Sequence, residues 1–316
     1  MSLADHVRTL GRGPGRARSL TREEARDAMD CMLSEDTAPE AVGALLMLLR
    51  MKGETAEEIA GFSEAVQATL PDIGGVDLDW PSYAAGRTRG EPWFLASAQL
   101  VAQSGHRVLL HGWNGTDPKV RTGLSEIGIG FAETIGDAQR LLNRHGIAYL
   151  PLEILSPRLM RLLRLREVLG LRSCINTVCR MLNPGRANAN VQGVFHPSYR
   201  LLQADAAQIL GWRNLSAIKG GGGEFERNPA KDAAVFGLRQ GQAWTSTLPG
   251  TSDETRRLDA PIDVTLSDLW SGAQAADFET KTTLGTACLA LNTLGVTDST
   301  VVTAELWADR QFSDAA

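Results

Sequence analysis

The chain has 316 residues, 43% of them hydrophobic, enough for a large buried core and more than one compact domain usually holds. A net charge of −5 excludes a protein drawn to nucleic acid by its overall charge, and the longest apolar run, Ala41 to Leu49, is about half of the roughly 20 residues that a membrane span needs. Cys31, Cys174, Cys179 and Cys288 show no CxxC pairing and no histidine at zinc spacing; with the lack of a signal-like apolar N-terminus, this predicts ordinary buried thiols in a cytoplasmic protein without membrane attachment.

The first seventy residues read as a helical unit. Thr21 with Glu24, Thr37 with Glu40 and Thr55 with Glu58 each have the spacing of a capping box, in which the hydroxyl accepts from a first-turn amide and the carboxylate reaches back to the cap. Pro39 sits inside the second box, where its missing donor costs little. Ala25, Ala28, Met29, Met32 and Leu33 recur at helical spacing, and Ala41 to Leu49 is apolar nearly all round, which predicts a central helix that Gly53 ends. After Pro71, short apolar runs alternate with helical stretches, the grammar of an α/β domain. The pattern predicts helices over 95–103, 156–170, 281–294 and 299–312, and strands over 107–110, 147–152, 190–195 and 216–219.

Charge is unevenly distributed. From Pro151 to Arg200 eight arginines stand against two glutamates, a local net of +6, whereas from Thr251 to Thr280 seven acids stand against Arg256 and Arg257, a local net of −5. The spacing of Arg158, Arg161 and Arg164 keeps them near one helix face, either a solvated basic surface or a stripe that grips phosphate oxygens. Lys219 precedes the glycines of KGGGGE, so this is not a Walker loop; the glycines either let amides approach an anion beside Lys219 or form a mobile loop. Trp80, Tyr83, Trp93 and Trp113 cluster in sequence, as base-stacking surfaces or as core. His6, His106, His145 and His196 show no metal spacing.

Read together and in order, the segments SLTREEARDAM, LLMLLRMKGETAEEIAGF, HGWNG, LREVLGLRSCINTVCRMLNP and VQGVF resemble anthranilate phosphoribosyltransferase, of the nucleoside-phosphorylase-like glycosyltransferases. The resemblance covers most of the chain. It implies a small helical N-terminal domain, residues 1–73 joined in space by about 156–185, and a larger α/β domain, residues 74–316, with a central mixed sheet. It also implies an active-site cleft between the domains and a homodimer formed through the helical domains.

In that family a GTGGD loop after the first strand of the large domain lets backbone amides close on the diphosphate of phosphoribosyl pyrophosphate. Here Ser82, Tyr83, Ala84, Ala85 and Gly86 stand in its place. The family's Asn-x-Ser-Thr motif falls on Pro92, Trp93, Phe94 and Leu95, and its Lys-His-Gly-Asn-Arg segment on Leu110, His111, Gly112, Trp113 and Asn114. Of the Asp-Glu pair that would carry magnesium only Glu224 is matched, with Gly223 where the aspartate would stand, so the resemblance implies a poor metal site and no cofactor. Arg166, which matches the arginine contacting the anthranilate carboxylate, persists with Arg172, Asn176, Asn183 and Pro184. The YAAGR and KGGGGE segments are similar to the YbiB-type branch of TrpD-like proteins, which is associated with nucleic-acid binding rather than tryptophan synthesis.

The expectation is a protein that has lost anthranilate phosphoribosyl transfer and binds nucleic acid, through its backbone and without sequence preference, in a basic interdomain cleft. Its candidate residues are Gly86, Arg87, Arg89, His111, Asn114, Lys119, Arg121, Arg164, Arg166, Arg172, Asn176, Lys219, Gly220 and Gly221. One alternative is a glycosyl or phosphoribosyl transfer to a small aromatic or nucleoside-type acceptor, with Arg166 holding an acidic acceptor and His111 or Lys219 offsetting charge on the leaving group. Another is an interaction protein whose cleft is vestigial.

Overall fold

The computed structural model describes residues 1–13, 15–84, 90–256 and 263–310. Four helices open the chain: α1 (Leu3–Gly11), α2 (Arg22–Leu33), α3 (Pro39–Lys52) and α4 (Ala56–Gln67). The Thr21–Glu24 and Thr55–Glu58 capping boxes form as the spacing predicts. The Thr37–Glu40 box does not: Ala38 caps α3, and the Thr37 hydroxyl donates instead to the Cys31 carbonyl at 2.6 Å. Pro39 at the first helical position fixes φ and has no amide to satisfy, so this helix starts without a side-chain cap.

The Glu58 carboxylate does more than close its own box. Fully buried, it accepts from the Leu20 amide at 2.9 Å, the Thr55 amide at 2.8 Å and Lys52 Nζ at 2.8 Å. One carboxylate thus ties the entry to α2, the end of α3 and the start of α4, and its charge is matched by the lysine it faces.

The larger domain follows. It begins with β1 (Leu78–Ser82), α5 (Phe94–Gln103), β2 (Val108–Gly112), α6 (Lys119–Glu126), α7 (Ile135–His145) and β3 (Ile147–Pro151). Three helices come next, α8 (Leu152–Leu155), α9 (Pro157–Leu169) and α10 (Ile175–Val178), and α9 and α10 pack back on α2 and α4. The chain continues through β4 (Ala189–Val194), α11 (Tyr199–Ile209), β5 (Asn214–Lys219), β6 (Ala233–Arg239) and β7 (Gln242–Leu248). It ends in α12 (Leu266–Ser271), α13 (Asp277–Leu294) and α14 (Ser299–Ala308). No helix of the described residues is long and apolar enough to cross a membrane.

The seven strands form one mixed sheet in the order β3-β2-β1-β4-β5-β6-β7. The first five are parallel; β6 and β7 add an antiparallel hairpin at one edge, turned at Gln240 and Gly241, both with positive φ as a two-residue hairpin loop requires. One core lies on the face toward the helical domain, where Leu109, Ala148 and Leu150 of the sheet join a cluster containing Leu45, Leu49, Phe62, Leu159 and Leu163. The other lies on the far face, where Leu78, Trp80 and Leu110 pack with Phe94, Leu100, Ala287 and Leu291 of α5 and α13. Chain order reverses between β1 and β4, so the crevice beyond their C-terminal ends is where an open α/β sheet places a ligand.

Candidate anion-binding cleft

β1 ends at Ser82, and Tyr83 and Ala84 turn away over the end of β2. Carboxylates from the turn after β5 meet the backbone at Ala84 and at Phe94. Glu224 Oε1 accepts from the Ala84 amide at 2.9 Å and lies 3.4 Å from Asn114 Nδ2; Glu226 Oε2 accepts from the Phe94 amide, at the N-terminus of α5, at 3.1 Å. Both glutamates are buried. A loop amide and a helix N-terminus are the groups that would otherwise welcome an anion, and here each is met by a carboxylate of the same chain.

The glycines of KGGGGE serve this arrangement. Gly220 donates its amide to Val194, Gly221 to the Glu226 carbonyl, Gly223 to Gly220 and Glu224 to Gly221, forming a tight turn over 221–223. A Cβ on Gly220 would collide with the Glu224 carbonyl oxygen, so the chain can fold back to deliver the glutamates only if this residue is glycine. The Gly220 amide is therefore engaged by β4 and the Gly221 amide by the returning chain at Glu226, which corrects the reading of these two amides as donors to an anion. Lys219 is exposed at the end of β5 beside them.

His111 and Asn114 also face inward. His111 is fully buried beneath the cleft floor, with Nδ1 2.8 Å from the Tyr83 hydroxyl and Nε2 3.2 Å from Asp79 Oδ1, at ion-pair distance but off the line of a hydrogen bond. Burial raises the Tyr83 phenol well above its usual range, so it remains a neutral donor or acceptor. Asn114 donates to Ser82 Oγ at 3.0 Å and accepts from the Tyr149 hydroxyl at 3.2 Å. Neither side chain is offered to a ligand in the cleft, which corrects their placement as lining residues; both hold the β1, β2 and β3 ends in register. Burial likewise raises the Cys174 and Cys179 thiols, which stay protonated, while Cys31 and Cys288 are only half-buried.

The arginines divide into three groups. Arg166 lies over the half-buried ring of Trp113, 5.4 Å from its centroid, and its Nη1 is enclosed without a hydrogen-bond partner among the described residues. Arg172 is close enough that desolvation, followed by the charge of Arg166, lowers its guanidinium below the usual range, though an arginine stays charged at neutral pH. Arg180, which the charge count included without distinguishing it, is buried and structural: Nε donates to the Gly193 carbonyl at 3.0 Å, and Nη1 to the Asn176 carbonyl and Oδ1, both at 2.8 Å. That contact, together with Asn176 Nδ2 at 3.4 Å from the Tyr83 carbonyl, makes Asn176 a brace of the loop.

Arg158, Arg161 and Arg164 are exposed on α9, where Arg161 lies 3.8 Å from Glu35 and Arg164 3.3 Å from Glu167. Such exposed pairs are worth at most about 1 kcal/mol and leave the guanidiniums available. Lys119 donates to the Gly90 carbonyl at 3.2 Å and lies 3.9 Å from Glu91, and Arg121 pairs with Glu153 beneath a stacking contact with Phe131, so both charges are locally offset. Gly86, Arg87 and Arg89 lie outside the described residues. Of the aromatic group, Trp80, Tyr83 and Trp93 are buried core, and Trp113 alone keeps a partly open ring.

Glu224 and Glu226 each commit one carboxylate oxygen to a backbone donor, of Ala84 and of Phe94, and no group of three or more His, Cys, Asp or Glu side chains is arranged to hold a metal among the described residues.

Residues 4–69 match the glycosyl transferase family, helical bundle domain. The chain is 28% identical over 208 residues to the anthranilate phosphoribosyltransferase of Bacillus cereus, and 28% identical over 246 residues to that of Oleidesulfovibrio alaskensis. These alignments cover 64% and 76% of this chain; the first spans only 61% of the Bacillus protein's length and the second 73% of its counterpart. In fold it is similar to the anthranilate phosphoribosyltransferase of Thermus thermophilus, with a TM-score of 0.79 at 20% identity over 96% of this chain and 94% of that one. The chain is thus TrpD-like in sequence and in fold. A Saccharomyces cerevisiae anthranilate phosphoribosyltransferase in complex with PRPP and Mg has the same fold, with a TM-score of 0.75 at 17% identity over 97% of this chain and 93% of that one. In this TrpD-like chain the cleft is marked by the two glutamates on the loop amides and by the Arg166–Trp113 stack.

Proposed function

We propose that this TrpD-like protein has exchanged phosphoribosyl transfer for the binding of a polyanion, nucleic acid, along the arginine-rich side of its cleft, in the manner of the YbiB-type branch. The observation that carries the reading is the seating of Glu224 and Glu226 on the Ala84 and Phe94 amides. A diphosphate entering there would find both backbone donors already engaged by carboxylates of the same chain. Meanwhile Arg158, Arg161 and Arg164 remain exposed, and Arg166 retains an enclosed donor with no partner among the described residues. Arginines grip phosphate oxygens without reading bases, so binding is backbone-directed, and each neutralised phosphate releases counterions.

Fluorescence anisotropy with a labelled single-stranded DNA tests this. Binding at low salt that weakens steeply as salt rises is the expected result; no binding at micromolar protein in low salt overturns it. A second reading, transfer to a small acidic aromatic acceptor, is favoured by the Arg166–Trp113 stack, which offers a planar face and a guanidinium together. Calorimetry separates the two: tight, magnesium-dependent binding of phosphoribosyl pyrophosphate would favour the enzyme.

A further inference from the structure

At the opposite end of the sheet from this cleft lies a cavity of about 240 Å³, bounded by Gln67 and Leu70 after α4, by Arg186 and Asn188 leading into β4, and by Trp212 and Arg213 leading into β5. We propose that it is a second anion site, taking a phosphate group carried on a small molecule.

Charge decides the class of ligand. No acidic side chain lines the cavity, and its two charged residues, Arg186 and Arg213, are both exposed and show no acidic partner among the described residues. The C-terminal ends of α4 and α11 also face it, through Gln67 and through Leu210 with Gly211, and each helix end acts as roughly −0.5 of a charge. Two guanidiniums against two such ends leave a net of roughly +1, enough to favour an oxyanion, while the helix-end carbonyls suit hydroxyl or amine donors on the same molecule. The volume, a little under that of drug-sized pockets, suits a phosphate monoester, and Trp212 supplies an apolar wall.

Backbone geometry points the same way. Arg186 has φ 49° and Asn183 φ 41°, left-handed values that cost a non-glycine residue energy and cluster at ligand sites. The Asn183 side chain holds the turn shut, accepting from the Ala187 amide at 2.8 Å and donating to the Ala187 carbonyl at 3.0 Å. Gly185 sits so close to Val76 that any side chain there would collide with it. The surroundings therefore impose the strained conformation and fix where Arg186 emerges at the cavity mouth.

The test is titration of the full-length protein with inorganic phosphate, followed by the NMR signal of the Trp212 indole N–H, assigned through Trp212→Phe. In the wild type the signal moves saturably at millimolar phosphate. Arg186→Ala/Arg213→Ala weakens the response by at least about tenfold, while Arg158→Ala/Arg161→Ala/Arg164→Ala leaves it unchanged. Single-stranded DNA that displaces phosphate from Trp212 identifies the ligand as a nucleic-acid phosphate; DNA that binds without doing so identifies a free phosphate ester. No movement of the signal overturns the site. So does a double variant that titrates like the wild type but melts at lower temperature, because the arginines would then serve only the helix ends. Neither result bears on DNA binding at α9, which the anisotropy titration reads separately.

Discussion

Glu224 and Glu226 are the residues on which the proposed exchange of function turns. Removing one carboxylate leaves a buried amide without its acceptor, at a cost of about 1–3 kcal/mol, so Glu224→Ala is expected to lower stability by that amount in urea unfolding, with Glu224→Gln milder because an amide oxygen can still accept. A second residue-scale prediction concerns acid. The Arg18 side chain, hydrogen-bonded to Glu24, pushes that carboxyl from the usual 4.5 down to about 2. A depressed carboxyl stabilises the fold above its unfolded pKa and loses that contribution as pH falls through the folded one. Arg18→Ala should therefore melt below the wild type above about pH 5, and the gap should close as pH falls toward about 2, as thermal denaturation across that range would read.

At the scale of elements, the KGETAEEIAG segment has physical content that its pattern alone conveys only in part. Lys52, Thr55 and Glu58 were legible as a helix end and a cap, yet nothing in the spacing said that Glu58 would also hold the Leu20 amide, because that contact bridges 38 positions. Gly61 is in the same segment. A Cβ there would run into the Arg22 carbonyl where α2 crosses α4, so Gly61→Ala is expected to cost about 1–3 kcal/mol, despite alanine's better helix propensity, read as a fall in melting temperature. The strands over β2 to β5 and the helices flanking them were readable because they are short apolar runs between glycines. The β6–β7 hairpin was not: β7 alternates half-buried Trp244, Ser246 and Leu248 with exposed polar residues at an edge, and no long apolar run announces it. The predicted cap at Thr37 failed for a comparable reason, since the residue pattern was right but Pro39 had already made the cap dispensable. In the cleft, residue types were legible and directions were not. His111, Asn114 and Asn176 turn inward to contacts made by distant strands, which no local spacing encodes.

Over the whole molecule, the arginine excess between Pro151 and Arg200 separates into a buried brace at Arg180, a pair at Arg166 and Arg172, an exposed row on α9, Arg186 at the second cavity and Arg200 over the Phe236 ring. If the row carries the polyanion, Arg158→Ala/Arg161→Ala/Arg164→Ala should weaken single-stranded DNA binding and flatten its dependence on salt by about 0.7 for each phosphate that is no longer neutralised, measured by anisotropy over a salt series. The α9 and α3 surfaces also expose Met51 (82%) and Val168 (81%), while Leu169 of α9 approaches Gly43 of α3. If the expected homodimer covers these two side chains, sedimentation equilibrium should give twice the chain mass, and Met51→Asp/Val168→Asp should return it to the monomer.

The paired seating of Glu224 and Glu226 also bears on how such a protein changes over generations. Each glutamate satisfies its own amide, so losing either alone yields a less stable chain. The cost falls on the fold itself, so chains that keep this turn are expected to retain an acid at both positions, or to exchange it only for the amide that can still accept, whatever ligand their cleft takes.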